Sequence, residues 1–263
     1  MKVSTLIKDN QKDLWQAQDF SQIFRESVTS RNAADYYDYI QSHSGEILAL
    51  LDQENAILGW IGLIPGSDER GRYYTLSGQE VSPDYRRQGI GVRLLEEARE
   101  YLQHRRAVRL KFGTSPLLTA NASLYITKFG ARYTWNNKVK LADGSPWPYV
   151  SCECDFSRPV GKPPELAALD IRRLCLLDWQ GYVPRINRDL RPTRQAALIL
   201  PTLTRRHLDA VIDRVEGFLG TFFSLLDSLT RQGFGFAWFD RLDSNGEERF
   251  YYYMTKSVNT LPF

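Results

Sequence analysis

Two kinds of periodicity divide the first 160 residues into elements. Apolar residues that alternate with polar ones predict strands, and apolar residues three or four positions apart predict helices. Turn-forming residues between these runs mark where the chain reverses. The elements expected up to position 81 are a helix around Leu14–Arg25, a helix at Ala33–Ser42, a strand at Glu46–Leu51, a strand at Ala56–Ile64, a turn at 65–68 and a strand at Tyr73–Val81.

The period changes from two to 3.6 after this third strand. Gly91, Leu94, Leu95 and Ala98 recur at the spacing of one helix face, and the helix is expected to end at Arg105. Strands and helices in this order indicate a mixed α/β fold, in which ligands bind outside the carboxyl ends of strands. The elements expected next are a strand at Val108–Phe112, a short helix at Ala120–Lys128, a strand at 131–135 and a strand at Tyr149–Phe156.

A proline-rich segment predicts the domain organisation. Three prolines and a glycine fall within 157–164, and proline does not fit regular backbone pairing. We therefore expect a domain at 1–157, a linker at 158–164 and a C-terminal accessory domain at 165–263.

The accessory domain is expected to be a smaller α/β unit, either a divergent copy of the first fold or an unrelated one. A helical pattern that ends at Gly233 and an Asn-Gly pair between aromatic runs are its clearest signals. The expected elements are a helix at Glu165–Asp178, a long helix over Leu208–Leu229 and a hairpin of strands 234–239 and 250–254.

Composition narrows the function classes. The formal net charge of +3 does not indicate a dedicated nucleic-acid binder, and it leaves room for an anionic small ligand. Cys152, Cys154 and Cys175 form neither a disulfide framework nor a zinc pattern, so no metal is expected. The start of the chain lacks a signal-peptide pattern, and no apolar run approaches the ~20 residues of a membrane span. We expect a cytoplasmic protein that does not associate with membranes.

The segment that follows the third strand has the character of an anion cradle. Gly89 and Gly91 remove two side chains, which lets backbone N–H groups approach a ligand closely. The first N–H groups of the helix that follows have no internal partner and lie at the positive end of its dipole. Together they form a site for phosphate or pyrophosphate, and Arg86 and Arg87 add positive charge at its rim.

Other glycine-loop motifs fit this segment poorly. A Walker A loop requires Gly-Lys-Ser/Thr, whereas Gly91 is followed by Val92 and Arg93. A dinucleotide fingerprint requires a small residue at position 94, which is Leu94. An ordinary strand-to-helix turn is the alternative that the loop alone leaves open.

Two motifs together resemble the GCN5-related N-acetyltransferase (GNAT) family. The family signature Q/R-x-x-G-x-G/A after a strand is matched by Arg86-x-x-Gly89-x-Gly91. A second family element, an Asn followed by Leu-Tyr and Gly-Ala, is matched by Asn121, Leu124-Tyr125 and Gly130-Ala131. The resemblance covers roughly residues 10–155, and it implies a mixed, mostly antiparallel sheet with helices on both faces.

The resemblance also implies a cofactor, acetyl-CoA or another acyl-CoA. The pantetheine arm would lie where the strands at Tyr73–Val81 and Val108–Thr114 part, with the backbone of Val81 and the side chain of Asn121 as contacts. The residues implied at the pyrophosphate are Arg86, Arg87, Gln88, Gly89, Ile90, Gly91 and Val92.

Catalytic roles follow from the same resemblance and from thioester chemistry. Tyr125 matches the family tyrosine that donates a proton to the departing thiolate, and its alternative role is packing beneath the helix. Glu80 lies beside Val81 and is a candidate base, directly or through water. Strand alternation places Glu80 and Val81 on opposite faces, so a solvated edge carboxylate is the other interpretation.

The leading functional prediction is an N-acyltransferase that moves an acetyl or longer acyl group to an amine by direct attack on the thioester. The acceptor class is a small molecule or a peptide, and a homodimer is left open. The alternatives are a non-catalytic CoA-binding or partner-binding module and an acyltransferase that acts on aminoacyl-tRNA, which the weak positive charge neither supports nor excludes.

Overall fold

The computed structural model describes residues 1–16, 33–136, 149–161, 168–180, 183–201, 218–244 and 247–256. The chain folds into two compact units. Unit 1 comprises 1–112 with 155–158, and unit 2 comprises 113–154 with 159–263. Strands near positions 112 and 155 cross the division, because each contributes residues to both units.

Unit 1 is built around an antiparallel sheet that gains a parallel strand at one edge. Its strands follow the order β1-β2-β3-β4-β5, and only β4 and β5 run parallel. The elements are β1 (Lys2–Thr5), α1 (Lys12–Gln16), α2 (Ala33–Ser42), β2 (Glu46–Leu51), β3 (Ile57–Asp68), β4 (Gly71–Val81), a single 3-10 turn (Pro83–Tyr85), α3 (Ile90–His104) and β5 (Arg109–Thr114).

Most of the predicted elements of unit 1 are confirmed. α2 and β2 have the predicted bounds, and α3 begins one residue before Gly91. The helix expected around Leu14–Arg25 is seen only as α1, because most of its predicted length lies outside the described residues. Trp15, Tyr36 and Trp60 pack together on the α1 and α2 face of the sheet, with Trp15 and Trp60 edge to face at 5.2 Å.

The turn predicted at 65–68 is wrong. β3 continues to Asp68, and the reversal occurs at 69–70. Pro65 fits into this strand because β2 pairs no further than Leu63, so the outer part of β3 pairs only with β4. A proline at such an edge removes no ladder hydrogen bond.

β4 and β5 separate after a short paired stretch. Their pairing begins at Tyr73 with Arg109 and ends at Thr75 with Lys111, although β4 continues to Val81. Just beyond that point the pairing of β3 with β4 shifts by one residue, and the extra residue on β4 is Ser77. A bulge of this kind bends its strand and increases the local twist. The structure therefore contains the parted strands that the sequence analysis expected.

Unit 2 contains a hairpin and a separate five-stranded sheet. In the hairpin, β7 lies between β6 and the end of β5, and it carries the buried Cys152 and Cys154. The five-stranded sheet has the order β11-β12-β10-β8-β9. The elements are α4 (Thr119–Ala122), which continues as π-helix at Ser123–Lys128, β6 (Arg132–Asn136), β7 (Tyr149–Asp155), α5 (Ala168–Arg173), β8 (Cys175–Gln180), β9 (Val183–Ile186), β10 (Gln195–Pro201), α6 (Phe218–Arg231), β11 (Gly235–Ser244) and β12 (Glu247–Thr255).

Of two helices predicted for the C-terminal part, one is partly wrong and the other lies partly outside the described residues. The helix expected at Glu165–Asp178 is wrong beyond Arg173, because Cys175–Gln180 forms β8, paired with both β9 and β10. Of the helix expected over Leu208–Leu229, the described part is α6, and its earlier residues lie outside the described ones. The aromatic hairpin is confirmed as β11 and β12.

The compact units divide the chain at a different place from the predicted linker. Residues 113–154, expected in the N-terminal domain, belong to unit 2 because its later elements pack on them. Thr127 Oγ1 donates to the Phe239 carbonyl at 3.0 Å, and Tyr252 Oη donates to the Pro116 carbonyl at 2.7 Å. Trp135 Nε1 donates to Asp227 Oδ1 at 2.6 Å. The assignment of a domain to 1–157, a linker to 158–164 and an accessory domain to 165–263 stays a prediction.

The five-stranded sheet repeats a connection pattern found earlier in the chain. β8 and β10 run parallel, a helix (α6) follows β10, and the β11–β12 hairpin returns so that β12 lies beside β10. In the same way β4 and β5 run parallel, α4 follows β5, and the β6–β7 hairpin returns with β7 beside the end of β5. The two series differ after the first strand, because β8 leads into β9 after two residues, whereas β4 leads into a glycine loop and α3.

Candidate active site

The glycine loop forms a tight connection between β4 and α3. Gly89 is the N-cap of α3 with φ 83° and ψ −2°, a left-handed conformation that glycine adopts without steric cost. The first intrahelical hydrogen bond joins the Arg93 N–H to the Gly89 carbonyl at 3.0 Å. The N–H groups of Ile90, Gly91 and Val92 therefore precede the helical series and lie at the positive end of the helix dipole.

Charge and exposure at the loop agree with an anion cradle. Arg86, Arg87, Gln88 and Gly89 are all exposed, whereas Ile90 is buried and anchors the first turn of α3. Arg87 also has a positive φ, 64°, so the loop contains two left-handed residues within three positions. Successive N–H groups in such turns form concave anion sites.

Two side chains hold this loop to the strand that precedes it. Gln79 Nε2 donates to the Gly91 carbonyl at 3.0 Å and connects β4 directly to the first turn of α3. Arg86 Nε donates to the Val81 carbonyl at 3.1 Å. Gln88 Nε2 donates to the Asp84 carbonyl at 3.0 Å and closes the turn on itself.

The backbone of Val81 points toward the side where β4 and β5 part. The Ser82 N–H donates to the Leu58 carbonyl at 2.9 Å, so Ser82 and Leu58 form a hydrogen-bonded pair between β4 and β3. Antiparallel pairs alternate between hydrogen-bonded and non-hydrogen-bonded positions, so the N–H and carbonyl of Val81 are directed away from β3. The contact of Arg86 with the Val81 carbonyl is consistent with that direction.

Glu80 lies on the face of the sheet opposite α3. Its register partner is Trp60, whose ring packs on Trp15 and Tyr36. A Cβ placed on Gly59, the partner of Val81, would lie 3.0 Å from Ile90 and 3.1 Å from Leu94, so Val81 faces α3. Glu80 and Val81 are thus on opposite faces, as strand alternation predicts, and Glu80 is half-buried.

Asn121 and Tyr125 belong to unit 2. Asn121 Nδ2 donates to Thr114 Oγ1 at 3.0 Å, which ties α4 to the end of β5. Tyr125 is 6% exposed and lies in the π-helical stretch that follows α4. Single-turn π-helical segments occur frequently at functional sites.

Three residues near the site were missed by the sequence analysis. Ser77 forms the bulge on β4, Gln79 holds the first turn of α3, and the Tyr36 hydroxyl lies over Gly62 and Gly78, close enough that a Cβ on Gly62 would lie 2.2 Å from it. Each role depends on a partner distant in sequence, so no local pattern could have indicated it.

Within the described ranges, no group of three or more His, Cys, Asp or Glu side chains is placed to hold a metal ion. In the same part of the chain, no helix has the length and apolar character required to cross a bilayer.

Comparison with protein families gives a match in the first half of the chain. Residues 13–131 match the model of the acetyltransferase (GNAT) family. A search among curated proteins found no match.

Solved structures of similar fold include acetyltransferases of low sequence identity. An aminoglycoside 6′-N-acetyltransferase complexed with coenzyme A is 16% identical, with 62% of this chain and 99% of that chain covered and a TM-score of 0.44. The ribosomal-protein-S18-alanine N-acetyltransferase from Escherichia coli is 19% identical, with coverages of 63% and 98% and a TM-score of 0.44. The ribosomal-protein-alanine N-acetyltransferase from Brucella melitensis is 16% identical, with coverages of 59% and 99% and a TM-score of 0.48.

The family match spans the glycine loop, α3, the parted strands and the segment that contains Asn121 and Tyr125. Through its residues 13–131, the chain is therefore similar to the acetyltransferase (GNAT) family.

Proposed function

We propose that this protein is an N-acyltransferase that moves an acetyl or other acyl group from acyl-CoA to an amine of a small molecule or a peptide. The observation that carries the proposal is the left-handed Gly89, which opens α3 directly after a strand that parts from its parallel neighbour. That arrangement offers a positive helix end for a pyrophosphate and, beside it, exposed strand edges for a chain of amides.

The cofactor would extend from the loop along β4. Its pyrophosphate would rest on the backbone amides from Gln88 to Val92, with Arg86 and Arg87 as counter-charges. Its pantetheine amides would pair with the backbone of Val81, whose polar groups point away from β3. Asn121 is proposed as a further contact to the arm.

The reaction requires three events. A neutral amine attacks the thioester carbonyl and forms a C–N bond, the amine loses a proton, and the C–S bond breaks to release a thiolate. Glu80 is proposed to accept the proton, directly or through water, and Tyr125 is proposed to donate a proton to the sulfur. The products are the amide and free CoA, so no further reactant is needed.

The half-buried position of Glu80 supports the role of base. A carboxylate at this position is partly shielded from bulk water, so its attraction for an ammonium group is less screened. Tyr36 and Trp60 lie on the same face of the sheet and would form part of the acceptor's surroundings. A cytoplasmic location and a homodimer stay predictions.

Calorimetric titration with acetyl-CoA, and then with CoA esters of increasing acyl length, tests the proposal. Gly89→Glu should abolish saturable binding, because its carboxylate repels the pyrophosphate and its side chain enters the cradle. Gly71→Glu is the matched control, since Gly71 also has a positive φ, 101°, and open space at its Cβ position. Both variants carry a similar backbone strain of about 1–3 kcal/mol.

The expected result is normal affinity in Gly71→Glu and none in Gly89→Glu, with both proteins folded. Failure of the folded wild-type protein to bind any CoA ester would overturn the proposal. Equal loss of affinity in the two variants would do so as well, because it would assign the effect to strain.

A further inference from the structure

A cavity lies in unit 1 at the end of β4 opposite the glycine loop. It has a volume of about 530 Å³, within the range of small-molecule sites. Its lining comes from the outer part of the β3–β4 hairpin and from the residue that follows α3. The described residues that line it are Pro65, Gly66, Ser67, Arg72, Tyr73, Tyr74 and Arg105.

The polar lining of this cavity shares the α3 face of the sheet. Tyr74 packs edge to face on Tyr101 of α3, with ring centroids 5.8 Å apart. Arg72 lies two positions earlier on the same strand and therefore on the same face. Ser67 is the register partner of Arg72 and adds a hydroxyl group.

The lining is positively charged. Arg72 and Arg105 are its cations, and no carboxylate is among the described residues around the cavity. Burial raises the pKa of Tyr74, while both guanidinium groups act on its hydroxyl in the opposite direction. Of the two arginines, Arg72 comes from β4 and Arg105 directly follows α3.

Arg105 is held in place before any ligand arrives. Its guanidinium carbon lies 3.7 Å from the centroid of the Tyr101 ring, and the Arg105 N–H donates to the Leu102 carbonyl at 3.0 Å. The dipole of α3 favours a cation at this end of the helix. It does not account for Arg72, which comes from β4.

The cavity is separate from the candidate cofactor loop. α3 has 15 residues, and at 1.5 Å per residue about 20 Å lies between the first turn at Gly89 and the last turn at Arg105. The loop precedes α3 and the cavity lies at its other end.

We propose that this cavity binds the phosphate group of a small phosphorylated molecule. Two guanidinium forks and the hydroxyls of Tyr74 and Ser67 present more donors than a two-oxygen carboxylate can accept, whereas a phosphate offers three terminal oxygens. The rigid fork of arginine suits such anions. The volume exceeds that of a phosphate, so the rest of the ligand has room beside the Tyr74 ring.

Calorimetric titration of the full chain with inorganic phosphate and with AMP tests the site and separates the free ion from an organic phosphate. Arg72→Gln and Arg105→Gln should each weaken binding at least tenfold. Arg99→Gln is the matched control, because Arg99 is an exposed arginine of α3 outside the lining. Repeating the titrations with saturating CoA distinguishes this cavity from the glycine loop, since a phosphate held at the loop would be displaced.

Binding of AMP or phosphate that persists with CoA present and is lost in the two lining variants would support the proposal. Tighter binding of AMP than of phosphate would assign the site to an organic phosphate. The proposal is overturned if neither probe binds saturably, if CoA displaces both, or if Arg99→Gln weakens binding equally. Arg72 is exposed, so Arg72→Gln gives a valid answer even if Arg105→Gln impairs folding. If the protein does not bind CoA, the titrations of the wild-type protein and its variants with phosphate and AMP still test this site.

Discussion

Tyr125 owes its position to an irregular stretch of helix. α4 has only four α-helical residues before the backbone widens into the π-helical turn Ser123–Lys128. The Ala131 N–H donates to the Tyr125 carbonyl at 2.9 Å, and this hydrogen bond closes the C-terminal end of the π-helical turn. The side chain is buried within unit 2.

Replacement of Tyr125 by phenylalanine should lower kcat by about 10²–10⁴-fold and leave KM for acetyl-CoA nearly unchanged. The reason is that only the proton delivered to the departing thiolate is lost. Steady-state assays over a range of acetyl-CoA concentrations measure kcat and KM for both proteins.

Tyr133→Phe is the control for that experiment, because Tyr133 is a second buried tyrosine of unit 2. Tyr133→Phe should retain the wild-type kcat. Unchanged kcat in Tyr125→Phe, or an equal loss in both variants, would show that Tyr125 packs and does not act as an acid.

At the level of elements, a buried guanidinium joins the β3–β4 hairpin to β5. Arg109 is 3% exposed, and its two terminal nitrogens donate to Asp68 at 3.0 and 2.6 Å and to the Gly71 carbonyl at 2.8 Å. Lys111 Nζ donates to the same carboxylate at 2.6 Å. These contacts secure the end of the sheet where β4 and β5 still pair.

Asp68→Asn should lower the Tm by a few degrees at pH 7 and have less effect in acid. The hydrogen bonds from Arg109 and then Lys111 hold the pKa of the Asp68 carboxyl well below its usual range. A depressed pKa contributes stability above the unfolded-state value of about 4, and that stability is lost as pH falls through the folded-state value. Thermal unfolding of both proteins between pH 7 and pH 2 measures the difference.

The difference in Tm should stay constant down to about pH 4 and narrow below it. Asp38→Asn is the control, since Asp38 pairs with Lys12 at an exposed site where ion pairs contribute little. A Tm difference for Asp68→Asn that is the same at pH 7 and pH 2 would contradict the assignment.

For the whole molecule, the division between the units cuts across the sequence-based domain boundary. The β6 strand of unit 2 packs on elements more than 80 positions later. Tyr133 meets Phe236 and Tyr252 with ring centroids 6.1 and 6.4 Å apart, and Trp135 meets Phe223 at 5.0 Å. Residues 113–154 therefore obtain much of their core from the C-terminal part.

A chain truncated after residue 157 should lose cooperative folding. Removal of Phe223, Phe236 and Tyr252 would expose the aromatic face of β6 to water, at a cost of several kcal/mol for side chains of this size. Circular dichroism during thermal unfolding, together with binding of a hydrophobic dye, compares the truncated and full-length chains. A sharp transition within a few degrees of the full-length Tm, with acetyl-CoA still bound, would show that 1–157 is an autonomous domain.

Local pattern was sufficient for much of the fold. The bounds of α2 and β2 follow from apolar spacing, and the glycine loop with α3 follows from Arg86, Gly89 and Gly91. The parted strands were expected from the family resemblance. The turn predicted at 65–68 was wrong because a proline interrupts a strand only where a neighbouring strand pairs on each side. At Pro65 the strand β2 no longer pairs with β3, and no local pattern shows this.

The sequence by itself determined the resemblance to the GNAT family, the class of element at most positions and the position of the glycine loop, because glycine and helix-terminus chemistry act over a few residues. Only the tertiary structure decided which face Glu80 occupies, which strand Gln79 ties to α3 and where the chain divides into units. Those features depend on pairing register, a bulge at Ser77 and contacts between residues far apart in the chain. Long-range pairing of this kind depends on which surfaces of the whole chain are buried together, and a single stretch of sequence does not carry that information.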